Sequence, residues 1–171
     1  MISVKRDDIT REDAEVIVNA ANAGLRGGGG VDGAIHRAAG PSVMEECRQI
    51  GHCATGCAVI TQAGKLKAKR IIHTVGPVWK GGTHGEPQLL RDAYRSSFLL
   101  AKRHGLRSIA FPAISTGVYG YPKKEAAAIA LAAGREFEKD FDEIRYVCFS
   151  DEDLEIYQGT LNSKAGAGAG Q

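Results

Sequence analysis

Two asparagines, an aspartate and a run of glycines offer the first chemistry in this sequence. Residues 19–40 read NAANAGLRGGGGVDGAIHRAAG, with four consecutive glycines between Asn19 and Asn22 on one side and Asp32 and His36 on the other. An asparagine amide donates and accepts hydrogen bonds without charge, which suits recognition of sugar hydroxyls. Taken singly, each asparagine better suits a turn that closes on its own backbone. A carboxylate such as Asp32 can hold a water for general-base chemistry, or can cap a helix and face its dipole. Glycines at 27–30 allow consecutive N–H groups to converge on a phosphate, and a flexible loop has the same composition. The run is not followed by the Lys-Ser/Thr of a P-loop and lacks the Gly-x-Gly-x-x-Gly spacing of a dinucleotide fold, so hydride transfer has no fingerprint here.

A second stretch, FPAISTGVYGYP at 111–122, brings hydroxyls at Ser115 and Thr116, glycines at 117 and 120, and Tyr119 and Tyr121. It follows an apolar run and precedes a helical pattern, the order an anion site needs, although a hairpin-like turn would read the same way. Two such loops in one small domain could grip both ends of a diphosphate. Cys47, His52, Cys53 and Cys57 invite a zinc reading, but Cys-x-x-x-Cys without a second ligand pair does not make a structural site, so buried thiols and no metal are expected. His36 has a side chain whose ordinary pKa suits a general base, yet a helical His beside a packed face is also a structural one.

These residues need elements to hold them. Short Val/Ile-rich runs predict strands over 2–5, 15–19, 58–61, 70–75, 108–113 and 145–149. Between them helical periods predict a helix opening at Asp32, with Val31, Ile35 and Ala38 or Ala39 on its apolar face, and others over 87–104, 122–140 and 151–161. The alternation implies an α/β layer fold. Asn19 and Asn22 then lie at the C-terminal end of a strand, where open α/β sheets bind ligands.

The 171 residues suit one domain, taken as 1–162, with the Gly/Ala-rich 163–171 as a disordered tail outside it. Twenty-two basic and 20 acidic residues leave a formal charge of +2, without the strong field or aromatic-laced basic stripe of a nucleic-acid binder. No apolar run reaches membrane-spanning length and the first residues lack a signal-peptide core, so a cytoplasmic monomer with reduced thiols is expected.

Several long motifs together carry a resemblance: DIT at 8–10, VNAAN at 18–22, GGGGVDGAIHRAAGP at 27–41, HTVGPVW at 73–79 and PAISTGVYGYP at 112–122. In this order the chain closely resembles a macrodomain of the MacroD type, the bacterial group that binds and hydrolyses ADP-ribose derivatives. The resemblance implies a three-layer α/β/α sandwich around a central mixed sheet, with ADP-ribose in a cleft across its crest and no cofactor. It places Asp8 on the adenine amino group, Ile9 and Phe149 against adenine, and Asn19 among the substrate contacts. Gly28, Gly29, Gly30 and Val31 on one side and Ser115, Thr116, Gly117, Val118 and Tyr119 on the other would hold the diphosphate and distal ribose. Asn22 and Asp32 match the pair beside the scissile bond.

The implied activity is removal of mono-ADP-ribose from Asp or Glu side chains of proteins and deacetylation of O-acetyl-ADP-ribose. A water positioned by Asp32 and Asn22 would attack, its proton passing to Asp32 or to a substrate phosphate. A non-catalytic reader of ADP-ribosylated proteins would use the same cleft, and control of a partner ribonuclease is a further role implied by the resemblance. Asp7 departs from the family's usual Gly and adds a negative charge beside the adenine contact.

Overall fold

The computed structural model describes residues 1–169. One sheet contains β1 (Ile2–Arg6), β2 (Val16–Ala20), β3 (Ala58–Gln62), β4 (Arg70–Thr74), β5 (Ser108–Phe111) and β6 (Glu143–Cys148). The spatial order is β1-β6-β5-β2-β4-β3, parallel throughout except for β3, which runs antiparallel to β4 at one edge. The sheet is therefore mixed. Its helices are α1 (Gly30–Ala39), α2 (Pro41–Ile50), α3 (Glu86–Arg103), α4 (Lys123–Phe137) and α5 (Asp151–Ala169).

The central strands read as unbroken apolar runs because both of their faces are covered. In β2, Val16 and Val18 enter a core shared with Leu90, Tyr94 and Phe98 of α3, Leu131 of α4 and Tyr157 of α5. Ile17 points the other way, to Ile35 of α1 and Val43 and Cys47 of α2. Helices thus lie on both faces, giving the α/β/α sandwich. Each fully buried Leu, Ile or Phe in these two cores contributes about 1.5–3 kcal/mol of transfer free energy.

The strand predictions locate all six strands to within two residues at either end. A helix over 41–50 was not expected. Gly40, at φ 93, turns the chain out of α1, and Pro41 restarts it at a position where its missing N–H costs nothing. α1 begins at Gly30, two residues ahead of Asp32, so Asp32 sits inside the first turn and caps nothing. The stretch over 138–140 after α4 is a tighter 3-10 turn. α5 continues past the expected 161 to Ala169, through residues among which alanines favour helix and no proline interrupts it; of the tail expected over 163–171, residues 170 and 171 lie outside the described residues. No helix is long and apolar enough to cross a membrane among the described residues.

Topology fixes where the cleft opens. β2 and β5 are parallel neighbours, yet the chain leaves β2 toward α1 on one face and leaves β5 toward α4 on the other. The two departing loops separate over the strand ends, leaving a crevice at this switch point.

Candidate active site

Two adjoining cavities occupy that crevice. A smaller one of about 330 Å³ is lined by Asn22, Gly28, Asp32, Ser115, Val118 and Tyr119 among others. A larger one of about 1140 Å³ includes Asp8, Ile9, Arg37, Thr116, Phe149 and Ser150. Gly30, Val31, Ala113 and Gly117 line both, so the two chambers form one trough.

The glycine loop forms one wall. Gly27 and Gly30 adopt left-handed φ values of 78 and 56, which a side chain would strain. Gly29 caps α1 with no side-chain bond, so the N–H groups of the first turn, unsatisfied by the helix itself, are free to meet an anion. A Cβ added to Gly33 would overlap the Gly28 carbonyl oxygen, so α1 and the loop are in direct backbone contact. The opposite wall is the loop over 112–121. Among the described residues, the N–H groups of 116–119 donate to no protein acceptor. Ser115 is buried at φ 69, a conformation uncommon for a non-glycine residue, and its hydroxyl has no protein partner. A Cβ on Gly76 would overlap Ser115 Oγ, which places the loop after β4 beneath this wall.

Glu86 steadies the neighbouring loop. Burial alone would raise its carboxyl pKa, but the N–H groups of Lys80, Gly82 and His84 donate to it at 2.6–2.9 Å and hold it at about 2. The same loop's Trp79 donates its N–H to the Tyr119 carbonyl at 2.9 Å and packs its ring on Tyr121 at 4.7 Å, so the rim at Tyr119 is braced from behind.

Asp32 and Asn22 meet across Gly28. A Cβ built on Gly28 would lie 3.6 Å from Asp32 Oδ2 and 3.9 Å from Asn22 Nδ2, so the missing side chain leaves one small space flanked by both polar atoms. Asn22 Nδ2 donates to the Gly27 carbonyl at 2.8 Å and Asn22 Oδ1 accepts from Arg26 N–H at 3.1 Å, which fixes the amide and leaves one Nδ2 hydrogen. Both readings of Asn22 thus hold at once: it closes a turn and faces the pocket.

Asn19 is elsewhere. Expected at the substrate, it is fully buried behind Asp32, because β2 is covered on both faces at that position. Its Nδ2 donates to Asp32 Oδ1 at 2.8 Å and lies 3.1 Å from His73 Nδ1. His36 also reaches the carboxylate, with Nε2 at 3.3 Å from Asp32 Oδ1.

At the other end, Asp8 Oδ1 accepts from both the N–H and the hydroxyl of Thr10, capping a 3-10 turn over Ile9–Arg11 and leaving Oδ2 uncommitted. Phe149, the first residue after β6, is 82% exposed at the rim of the larger cavity. The unusual Asp7 points away from added trouble: the Asp8 N–H donates to it at 2.7 Å and Lys5 lies at 3.5 Å, and these partners lower its pKa.

The four residues weighed for zinc do not converge. Cys47 and Cys53 are buried while His52 and Cys57 are exposed, and the donors that do come together among the described residues are His36, Cys47 and His73. Burial pushes the Cys47 and Cys53 thiols up to about 11, which removes their thiolates as nucleophiles near neutral pH.

Sequence reasoning missed His73 and Thr61, which lie under the site on β4 and β3. The available signal was a polar residue ending an apolar strand run, RIIH beside VIVN, and the register indeed pairs Asn19 with His73.

A family model described as Macro domain matches residues 18–145. A protein of Salmonella gallinarum named O-acetyl-ADP-ribose deacetylase is 52% identical over 170 residues, covering 95% of each chain. A macro domain-containing protein of Chlorobaculum tepidum is 54% identical over 164 residues, 94% of this chain and 95% of the relative. Among solved structures, an Oceanobacillus iheyensis macrodomain mutant with ADPR superposes with a TM-score of 0.91 at 44% identity, covering 95% of this chain and 92% of that one. A Trypanosoma brucei macrodomain in complex with ADP-ribose gives 0.88 at 42% identity, covering 94% and 68% respectively. The fold is that of these macrodomains, and the chain belongs to the macro domain family.

Proposed function

We propose that this macrodomain, comprising residues 1–162, binds ADP-ribose along the trough and hydrolyses its esters. The substrates are O-acetyl-ADP-ribose and ADP-ribose joined to Asp or Glu side chains of proteins. The observation that carries the reading is the space at Gly28, flanked by Asp32 Oδ2 and Asn22 Nδ2. A pure reader has no use for a carboxylate oxygen aimed at that spot. The naming of a relative with 52% identity as an O-acetyl-ADP-ribose deacetylase, and the ADP-ribose held by two similar folds, support the same assignment.

On this reading the adenine lies in the larger cavity, its amino group donating to Asp8 Oδ2 and its ring against Ile9 and Phe149. The diphosphate accepts from N–H groups of the glycine loop, the first turn of α1 and residues 116–119, which need no metal to receive it. The distal ribose enters the smaller cavity beside Val118 and Tyr119. There Asn22 donates its remaining Nδ2 hydrogen to the ribose, and Asp32 Oδ2 holds and polarises a water. For the acetyl ester, Asp32 takes a proton as the water oxygen adds to the acyl carbon, the bond from that carbon to the ribose oxygen breaks, and the proton passes to that oxygen, giving acetate and a ribose hydroxyl. General-base assistance of this kind supplies ~10²–10⁴ in rate, which suffices because an ester is already reactive.

A panel of O-acetyl-ADP-ribose, Glu-linked and Ser-linked ADP-ribose incubated with the protein, with products read by mass spectrometry, tests the assignment. The two ester-type substrates should be cleaved and the Ser-linked bond should resist, since the Ser linkage has no acyl carbon for the water to attack. Tight ADP-ribose binding with no cleavage of any of the three would make the protein a reader.

A further inference from the structure

We propose that His73 is a positioning residue for this hydrolysis: it fixes the Asn19 amide, and Asn19 holds Asp32 Oδ1 so that Oδ2 faces the smaller cavity. The proposal rests on the reading of Asp32 given above and extends it to residues that never touch substrate.

The hydrogen-bond chemistry allows the chain only one direction. Asp32 Oδ1 can only accept as a carboxylate, so the Asn19 atom 2.8 Å away must be the amide nitrogen. That nitrogen carries only hydrogens, so His73 Nδ1, 3.1 Å from it, must accept. The His73 proton is then on Nε2, 2.9 Å from Thr61 Oγ1. Thr61 can accept it because its own hydroxyl hydrogen is directed to the Gln62 carbonyl at 2.9 Å. The path runs from the edge strand β3 through β4 and β2 to α1, and all four side chains are more than nine-tenths buried. Asn19 Oδ1 is buried with no hydrogen-bond partner among the described residues, where Asp32 and His73 alone bond this amide.

The alternative tautomer shows why His73 matters. With the proton on Nδ1, an N–H would oppose the Asn19 N–H; rotating the amide to relieve that would turn Asn19 Oδ1 toward the Asp32 carboxylate and repel it. Burial and the nearby His36 lower the His73 pKa to about 4, so near neutral pH the ring holds a single proton and the chain is intact. The His36 ring stacks over His73 at 5.9 Å and Cys47 Sγ closes the cluster at 3.9 Å from Nε2. A metal held by this group would require Nε2 or Nδ1 of His73 to leave Thr61 or Asn19, whereas the chain spends both nitrogens.

His73→Phe keeps the ring and its stacking but offers no acceptor to Asn19. His73→Gln can present an oxygen to Asn19 and an N–H to Thr61. For O-acetyl-ADP-ribose, kcat of His73→Phe should fall on the order of 10- to 100-fold, with KM and the ADP-ribose Kd within about 3-fold of wild type. His73→Gln should recover most of that loss, and Thr61→Val should show a smaller fall in kcat alone. In ¹⁵N-resolved spectra of the wild type, His73 should appear as the Nε2–H tautomer. Should His73→Phe fail to fold, the tautomer and Thr61→Val still decide.

Unchanged kcat in His73→Phe, a glutamine variant as slow as the phenylalanine one, an Nδ1–H tautomer, or parallel loss of turnover and binding would each overturn the proposal. Asp32→Ala is assayed alongside. Full turnover in that variant would remove the reading of Asp32 itself, whereas a slow Asp32→Ala beside a normal His73→Phe would remove only the positioning chain.

Discussion

The buried His73 makes the stability of this fold depend on pH in a window that other groups leave open. Its pKa falls from 6.5 in the unfolded chain to about 4 in the native state, first because burial disfavours the imidazolium and then because His36 lies close, with Asp32 partly opposing both. The groups facing it are Asp32 and His36 from α1, Cys47 from α2, Thr61 from β3 and Asn19 from β2. A group whose native pKa is depressed contributes stability above its unfolded pKa and loses it as pH falls toward the native one. Here protons bind preferentially to the unfolded chain from near pH 6.5 downward. With these two values, lowering the pH from about 7.5 to about 5 costs about 2 kcal/mol, and the full loss approaches about 3 kcal/mol near the native pKa. Carboxylates with lowered pKa, such as Glu86, act below this range, between 4.5 and about 2. Urea unfolding of wild type and His73→Gln at several pH values reads the difference directly. The wild type should lose about 2 kcal/mol more than the variant over that interval. Parallel curves for the two proteins would refute the buried, neutral imidazole.

Other perturbations test the walls of the trough. Gly28→Ala places a methyl at ordinary contact distance from Asp32 Oδ2 and Asn22 Nδ2, so thermal stability should hold while turnover falls by about 10-fold or more. Gly33→Ala drives a methyl into the Gly28 carbonyl and should destabilise by about 1–3 kcal/mol and weaken ADP-ribose binding in calorimetry. Phe149→Ala removes an exposed ring and should raise the ADP-ribose Kd by about 2- to 10-fold with saturated turnover unchanged. Ser115→Gly relieves a positive φ and should raise the unfolding midpoint in denaturant even though a hydroxyl is lost.

Much of the trough is legible in the sequence because its signals are local. VIVNA and SIAF announce buried strands through continuous apolar residues, and Gly-rich or Ser/Thr-rich loops directly after them sit at strand ends by necessity. The motif resemblance implies ADP-ribose as ligand and Asn22 and Asp32 as the pair beside the scissile bond, and the structure brings those two side chains to one space at Gly28. What escaped depends on contacts across the chain. Asn19 and His73 are 54 residues apart, and only the β2–β4 register reveals that they share a face, so the sequence offers Asn19 as a ligand contact and cannot show that it is buried between Asp32 and His73. Asp32 read equally as a helix cap because its neighbours in sequence cannot show that Asn19 and His36 claim its Oδ1. α2 was hidden because Gly40 breaks the helical period that α1 begins.

In the proposed reaction Asp32 acts on bound substrate while taking no part in holding ADP-ribose. Single-turnover hydrolysis of O-acetyl-ADP-ribose by Asp32→Asn, with enzyme in excess and ADP-ribose affinity measured on the same protein, tests this most directly. The rate should fall at least ~10²-fold below wild type with affinity within about 3-fold. A wild-type rate, or a loss of rate fully explained by lost binding, would contradict that role of Asp32.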